Sequence, residues 1–224
     1  MKSKIIQQGA EAKIILSNNF IIKDRTKKSY RIKEVDEVIR RRRTKSESKL
    51  LAKAGKVINT PEPFFQPTPD FHKIKMPYID GEKLSDHLDK FPLKKQKEIC
   101  RAIGESVAKL HDAEIIHGDL TTSNMILKDD KIISHEQKLK GGVDKGELGS
   151  LYFIDFGLGF NSRKFEDKAV DIHLLRQALE AKHFKHWETL FKEVLKAYSK
   201  SKDSKIVLER LKAVEKRGRY KGKY

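Results

Sequence analysis

His117-Gly118-Asp119-Leu120-Thr121-Thr122-Ser123-Asn124, answered downstream by Asp155-Phe156-Gly157, is the stretch whose reading decides the fold. It offers a carboxylate, an amide five positions later, and a second carboxylate thirty-one residues beyond the amide. Phosphoryl transfer from a nucleotide uses such a trio. One carboxylate orients the attacking hydroxyl or water, while an Asn and an Asp hold Mg2+ on the phosphates. Taken singly, Asp119 reads equally as a helix or turn cap, Asn124 as a turn residue and Asp155 as an N-cap. Only the ordered set needs more explanation. It predicts Asp119 as the catalytic carboxylate and Asn124 with Asp155 as metal ligands.

Upstream, Ile14-Ile15-Leu16 and Phe20-Ile21-Ile22 read as strands around a Ser17-Asn18-Asn19 turn. Gly9-Ala10-Glu11-Ala12 lies where a loop would fold over phosphates, so Gly9, Ala10 and Ala12 are candidate nucleotide contacts. With a single glycine the segment also suits a plain hairpin turn. Lys23 leaves the second strand and needs a helical carboxylate to be more than a solvated edge residue. Residues 35–54 supply a helix, with Val35, Val38, Ile39, Leu50, Leu51 and Ala54 at helical spacing and Arg40 to Lys45 interrupting the stripe. Glu47, one turn before Leu50, sits at the border of its buried face. Lys23 would then hold the α- and β-phosphates while Glu47 fixes its direction.

Pro61, Pro63, Pro67 and Pro69 exclude a central helix and fit an edge strand or extended connection. Phe71 to Ile79 reads as a strand and Glu82-Lys83-Leu84-Ser85 as a helical start, which places a hinge between them. There Met76 guards the back of an adenine pocket, the Pro77 C=O would accept, and the Ile79 N–H would donate. Proline lacks only the N–H, which this scheme does not use.

Leu93 to His111 is an amphipathic helix with Ile99, Ile103, Val107 and Leu110 as its stripe. Ile115-Ile116, Met125 to Leu127 and Leu151 to Ile154 read as short strands, and Lys128 to Ser150 as an exposed, flexible insertion. Helices follow from Glu166, around Trp187, and from about Asp203 to Lys216. The expected fold is α+β, a bilobal protein-kinase-like chain with a small β-rich N-lobe carrying one main helix and a mostly helical C-lobe. Its divisions are 1–76, a hinge at 77–81, 82–216, and a basic tail at 217–224.

Composition narrows the setting. No stretch approaches the roughly 18 apolar residues that span a bilayer, and the N-terminus does not read as a secretory signal. The single cysteine, Cys100, falls among apolar helical positions, which predicts a buried thiol, no disulfide-linked partner and a cytoplasmic location. The net charge of +17 is concentrated. Lys23 to Lys56 holds fourteen Lys/Arg against five Asp/Glu, and Arg210 to Tyr224 seven against one. Solubilising lysines would explain either segment alone; together they predict a polyanionic partner, nucleic acid first.

Ile116 to Met125, Phe153 to Gly159, Gln8 to Ala12, Ile22-Lys23, Arg43-Thr44 with Glu47, and Glu166 to Asp171 together resemble the small atypical kinase/ATPase subunit of the KEOPS (EKC) complex, of archaeal type. The PRPK kinases are its eukaryotic relatives. The resemblance covers nearly the whole chain, and it implies Mg-ATP (or Mn2+ with ATP) hydrolysis supporting threonylcarbamoyl-adenosine modification of tRNA, with serine autophosphorylation. It implies as partners tRNA, a metal-dependent threonylcarbamoyl-transferase subunit and the other KEOPS subunits, with no membrane. It also implies that the tail engages tRNA through Arg217, Arg219, Lys221 and Lys223.

Two departures bear on activity. The insertion around 134–150 is long and gains no role. Asp171 follows only sixteen positions after Asp155, with no Ala-Pro-Glu motif, which leaves little room for a docked peptide. A conventional protein serine/threonine kinase and an inert scaffold stand as alternatives. The first would transfer phosphate to proteins without tRNA, and the second would not turn over ATP.

Overall fold

Asn18 and Asn19 both take positive φ, 48° and 60°. That is the two-residue turn whose twist matches paired strands. It joins β2 (Ala12–Ser17) to β3 (Phe20–Arg25), and β1 (Lys4–Gln8) and β4 (Lys73–Pro77) complete an antiparallel sheet in the order β1-β2-β3-β4. The computed structural model describes residues 3–64, 70–129 and 149–219. Of the insertion expected over Lys128 to Ser150, residues 130–148 lie outside these, as do Pro67, Pro69, Lys221 and Lys223, while Lys128 and Ser150 pair as strand ends.

Alternation along β3 turns Lys23 and Arg25 to one face, where both are buried. Over that face lies α1 (Lys33–Ala54), whose buried side is Asp36, Thr44, Glu47, Leu50, Leu51 and Ala54. This corrects the apolar stripe expected from sequence, because Val35 and Val38 are 50% and 47% exposed. Polar groups take the inner positions of the first turns since they find partners there. Arg40 Nε bonds the buried Asp36 carboxylate at 2.7 Å, and Thr44 Oγ1 bonds the Arg40 C=O at 2.9 Å. The same contacts carry the helix unbroken through Arg40 to Lys45. On its outer side, exposed Arg42, Lys45, Lys49 and Lys53 recur at spacings of three or four, one straight stripe opposite the buried face.

The proline segment runs extended beside β4, with the Phe64 N–H on the Lys75 C=O at 2.8 Å. Phe71 lies outside the strand, its ring under the Arg41 guanidinium at 4.4 Å. Glu82 and Lys83 do not begin a helix. They form β5 (Glu82–Lys83), paired with β7 (Met125–Lys128), and α2 (Leu84–His87) starts one residue later. Gly81 permits this pairing, since a Cβ there would lie 2.6 Å from the Leu127 carbonyl oxygen.

The rest is mostly helical. Ile99, Ile103, Val107 and Leu110 of α3 (Leu93–Asp112) are fully buried, as the periodicity predicts. At Gly104 the helix meets α5 (Trp187–Tyr198) so closely that a Cβ would lie 2.3 Å from the Val194 carbonyl oxygen. Cys100 is fully buried here, and burial pushes its thiol up to about 12. Beside this pair, α4 (Phe165–Lys182) packs on α6 (Ser204–Arg219), which runs past Lys216 to Arg219. Two small sheets, β5-β7-β8 with β8 at Ser150–Phe153, and β6 (Ile115–Ile116) with β9 (Phe160–Asn161), account for the other described strands. Among the described residues, no helix is long and apolar enough to cross a membrane.

Candidate active site

β6 delivers the loop 117–124, and Asp171 of α4 fixes its entry. Asp171 accepts the His117 N–H on Oδ2 at 2.8 Å and the Gly118 N–H on Oδ1 at 3.0 Å, with His111 Nε2 3.3 Å from Oδ2. Gly118 has φ +78°, and a Cβ on it would lie 2.3 Å from the Leu158 carbonyl oxygen, so the turn requires glycine. The buried His117 ring donates from Nε2 to the Ile154 C=O at 3.1 Å and accepts the Asp119 N–H on Nδ1 at 3.3 Å. It is therefore neutral, and burial, outweighing the nearby carboxylates, holds its pKa below the ordinary value. Its ring packs 4.5 Å from that of Phe156, which keeps the Asp155-Phe156-Gly157 turn seated. Asn124 Nδ2 donates to both the Asp119 C=O (2.9 Å) and Asp119 Oδ2 (2.8 Å), leaving its amide oxygen for another partner.

From the opposite side, Lys23 Nζ lies 2.8 Å from Glu47 Oε1 and 2.7 Å from Asp155 Oδ1. Glu47 Oε2 is taken by Arg25 Nη2 at 2.5 Å. Asp155 has φ +61°, a left-handed conformation a non-glycine residue adopts only where its surroundings hold it. Burial opposes its ionisation, but the Lys23 ammonium and the Gly157 N–H override it and hold the carboxyl below the ordinary carboxylate range.

These groups line a cleft of about 500 Å³ between the N-terminal sheet and the helical part. The structure brings Gly9, Ala10, Ala12, Lys23, Glu47, Met76, Pro77, Ile79, Asp119, Asn124 and Asp155 to this one cleft. The Gly9 turn closes on itself through Gly9 N–H to the Ala12 C=O at 3.0 Å, and Lys28 Nζ donates to the Ala10 C=O. At the connection after β4, the Tyr78 N–H is already used by the Asn19 C=O at 2.9 Å. Of the tail residues, Arg217 does not line the cleft. Arg217 stands on α6 and pairs with Glu166 at 2.7 Å, and Arg219 is the last residue of that helix. Two residues went unread in the sequence, Asp171 and Arg25. Only the period-two spacing of Lys23 and Arg25 in a strand signalled the second.

The Asp155 carboxylate and the Asn124 amide oxygen are hard oxygen donors, the kind Mg2+ takes. They leave most of a coordination shell to water and phosphate, as Mg2+ sites commonly do. The residues present thus fit a nucleotide-bound divalent ion.

Stability should depend on pH in two steps. The folded pKa of His117 lies below 6.5, and that of Asp171 below 3.8, where burial opposes ionisation but the hydrogen bonds and charge of His111 and His117 together outweigh it. In both cases the unfolded chain binds protons first as pH falls. The stability they contribute is fully present above 6.5, declines below it through His117, and declines again below 3.8 through Asp171. Urea midpoints followed by Trp187 fluorescence should fall between about pH 7 and about pH 5, and further below about pH 4. A flat midpoint over the first interval would contradict the neutral, buried imidazole.

Comparison with known proteins adds the relationships. Residues 17–139 match the RIO domain. The chain is 39% identical to the KEOPS complex subunit Bud32 of Pyrococcus abyssi, over 97% of this chain and 96% of that one. It is 38% identical to a probable bifunctional tRNA threonylcarbamoyladenosine biosynthesis protein of Methanococcus vannielii, covering 96% of this chain but only 36% of that longer protein. Among solved structures, it superposes on a gentamicin-APH(2")-IIa complex with a TM-score of 0.61 at 14% identity, covering 96% of this chain and 81% of the other. That likeness shows a protein-kinase-like fold.

Proposed function

Because the chain belongs to the RIO-domain family, in its Bud32 branch, we propose that it is the kinase-like ATPase subunit of a KEOPS assembly, hydrolysing Mg-ATP in support of threonylcarbamoyl-adenosine modification of tRNA. One observation carries the preference for hydrolysis over transfer to proteins. Between Asp155 and the start of α4 at Phe165 the chain has nine residues (156 to 164), and they are tied down. Phe156 is buried, β9 pairs with β6, and the Ser162 N–H bonds the Glu114 C=O at 2.9 Å while Ser162 Oγ bonds Asp167 at 2.5 Å. No length remains to form a peptide platform, so the acceptor is water or the protein's own serine.

In this reading adenine lies against Met76, with the Pro77 C=O and Ile79 N–H as its backbone partners. Lys23 meets the α- and β-phosphates and Glu47 aims it. Asp119, held by Asn124, orients the nucleophile. A bound Mg2+ or Mn2+ at Asn124 and Asp155 would neutralise charge on the phosphates. The polyanion would lie along the outer stripe of α1 and reach the tail residues Arg217, Arg219, Lys221 and Lys223. A metal-dependent transferase subunit and tRNA are the partners the family's chemistry calls for.

The test is ATP hydrolysis by the full chain with and without tRNA. The rate should rise with tRNA, and reversing Arg42, Lys45 and Lys49 to Glu should lower the slope of log affinity against log salt by about 2–3. Robust transfer to added protein substrates without tRNA would favour the conventional kinase, and absence of turnover would favour the scaffold.

A further inference from the structure

We propose that Arg25 is a positioning residue of the nucleotide site, holding Glu47 by its second oxygen so that the charge of Lys23 is left for a polyphosphate. The inference rests on the Mg-ATP reading above and adds a residue to it.

Lys23 in this structure is over-committed. Its ammonium touches two carboxylates, Glu47 at 2.8 Å and Asp155 at 2.7 Å, and it has three donors in all. A lysine matched only with Glu47 would form a neutral pair, with little field left for an incoming anion. Glu47 itself is a buried carboxylate, its side chain 1% exposed, and a buried carboxylate left half-compensated pulls on whatever cation it has. Arg25 changes that balance. With Nη2 at 2.5 Å from Oε2, it matches two cations, Lys23 and Arg25, to two carboxylates, Glu47 and Asp155, where Lys23 alone would leave the floor of the cleft net negative and repel a polyphosphate.

The guanidinium is built into that place. Lys23 and Arg25 leave β3 on the same face, Arg25 only 4% exposed. Its N–H bonds the His72 C=O at 3.1 Å, and its own C=O accepts from Arg40 Nη1 at 3.4 Å. Arg40 is in turn held by Asp36, which also meets Arg31 at 3.5 Å. Arg25 lines the cleft beside the Asp155 turn, where a Cβ on Gly157 would lie 3.4 Å from Lys23 Nζ and 3.6 Å from Arg25 Nη2. Its Nε is buried and finds no acceptor among the described residues.

A double-mutant cycle on the full chain tests this, reading ADP affinity by calorimetry without metal, alongside ATP turnover and melting temperature. Arg25→Met is expected to weaken ADP binding and raise the KM for ATP, each about tenfold, with kcat changed less. On a Lys23→Met background the same change should alter ADP affinity by less than about twofold, because Arg25 acts through Lys23. Arg25→Lys keeps the charge beside Glu47 and serves if the methionine variant does not fold. It should retain affinity within about threefold of the parent.

Equal losses on both backgrounds, or a lysine variant as weak as the methionine one, would overturn the proposal while leaving the nucleotide reading in place. A parent protein that binds no ADP would overturn both.

Discussion

Replacing Asp119 by alanine is expected to lower ATP turnover by about 10²–10⁴-fold, the range a positioned acid or base commands, while ADP affinity stays within about twofold. Asp119 is separated in space and bonding from the groups proposed to face the nucleotide. Lys23, Glu47 and Asp155 form one connected ion-pair set on the far side of the cleft, and none of them bonds Asp119. The partners of Asp119 are Asn124, through its carboxylate and carbonyl, and His117, through its N–H. Truncation therefore removes the group proposed to orient the nucleophile and one acceptor of Asn124, but leaves the Lys23 and Arg25 cations untouched. Single-turnover rates with parallel calorimetry decide it. Unchanged turnover would remove Asp119 from the mechanism, and loss of ADP binding would make it a structural residue.

Asp171→Ala is expected to cost about 3–5 kcal/mol of stability, a drop of roughly 10 °C in melting temperature, and to abolish turnover with it. One side chain, 1% exposed, satisfies two backbone N–H groups at the start of the catalytic loop and meets a buried imidazole. Its removal leaves the buried His117 donor and the half-buried Gly118 donor without their acceptor, each costing about 1–3 kcal/mol. Gly118 already holds φ +78° and has no alternative conformation that keeps its contact with Leu158. Differential scanning calorimetry of Asp171→Ala beside the parent measures the loss. A melting temperature within about 2 °C of the parent would mean that the loop is held elsewhere.

The contrast between these two aspartates shows how far the sequence could be read. Asp119, Asn124 and Asp155 announce themselves by spacing, because their chemistry demands a fixed order along one loop and one turn. Lys23 and Glu47 were legible as a strand lysine and a helical acid at the margin of an apolar face. The helix α3 was legible from its stripe of Ile99, Ile103, Val107 and Leu110, all fully buried.

Asp171 left no local sign, since its partners are backbone groups more than fifty residues away. The inner face of α1 was misread for a related reason. Hydrophobic periodicity counts Val35 and Val38 as inward, but Asp36 and Thr44 take the inner positions because Arg40 and the backbone satisfy them. At Glu82-Lys83, helix-favouring composition yielded to pairing with Leu127 and Ile126. Polar burial is a property of partners, and partners distant in sequence do not show in a local window.

The tethering of residues 156 to 164 carries a last consequence, for control. Kinases are commonly switched by ordering a loose segment after the metal-binding aspartate, a phosphate drawing it onto basic residues. Here β9 is already paired, Phe156 is already seated and Ser162 is already bonded to its neighbours. A centre assembled in this way has no off position of its own to be released from. If this centre turns over ATP as proposed, its timing is expected to come from what approaches the cleft and when.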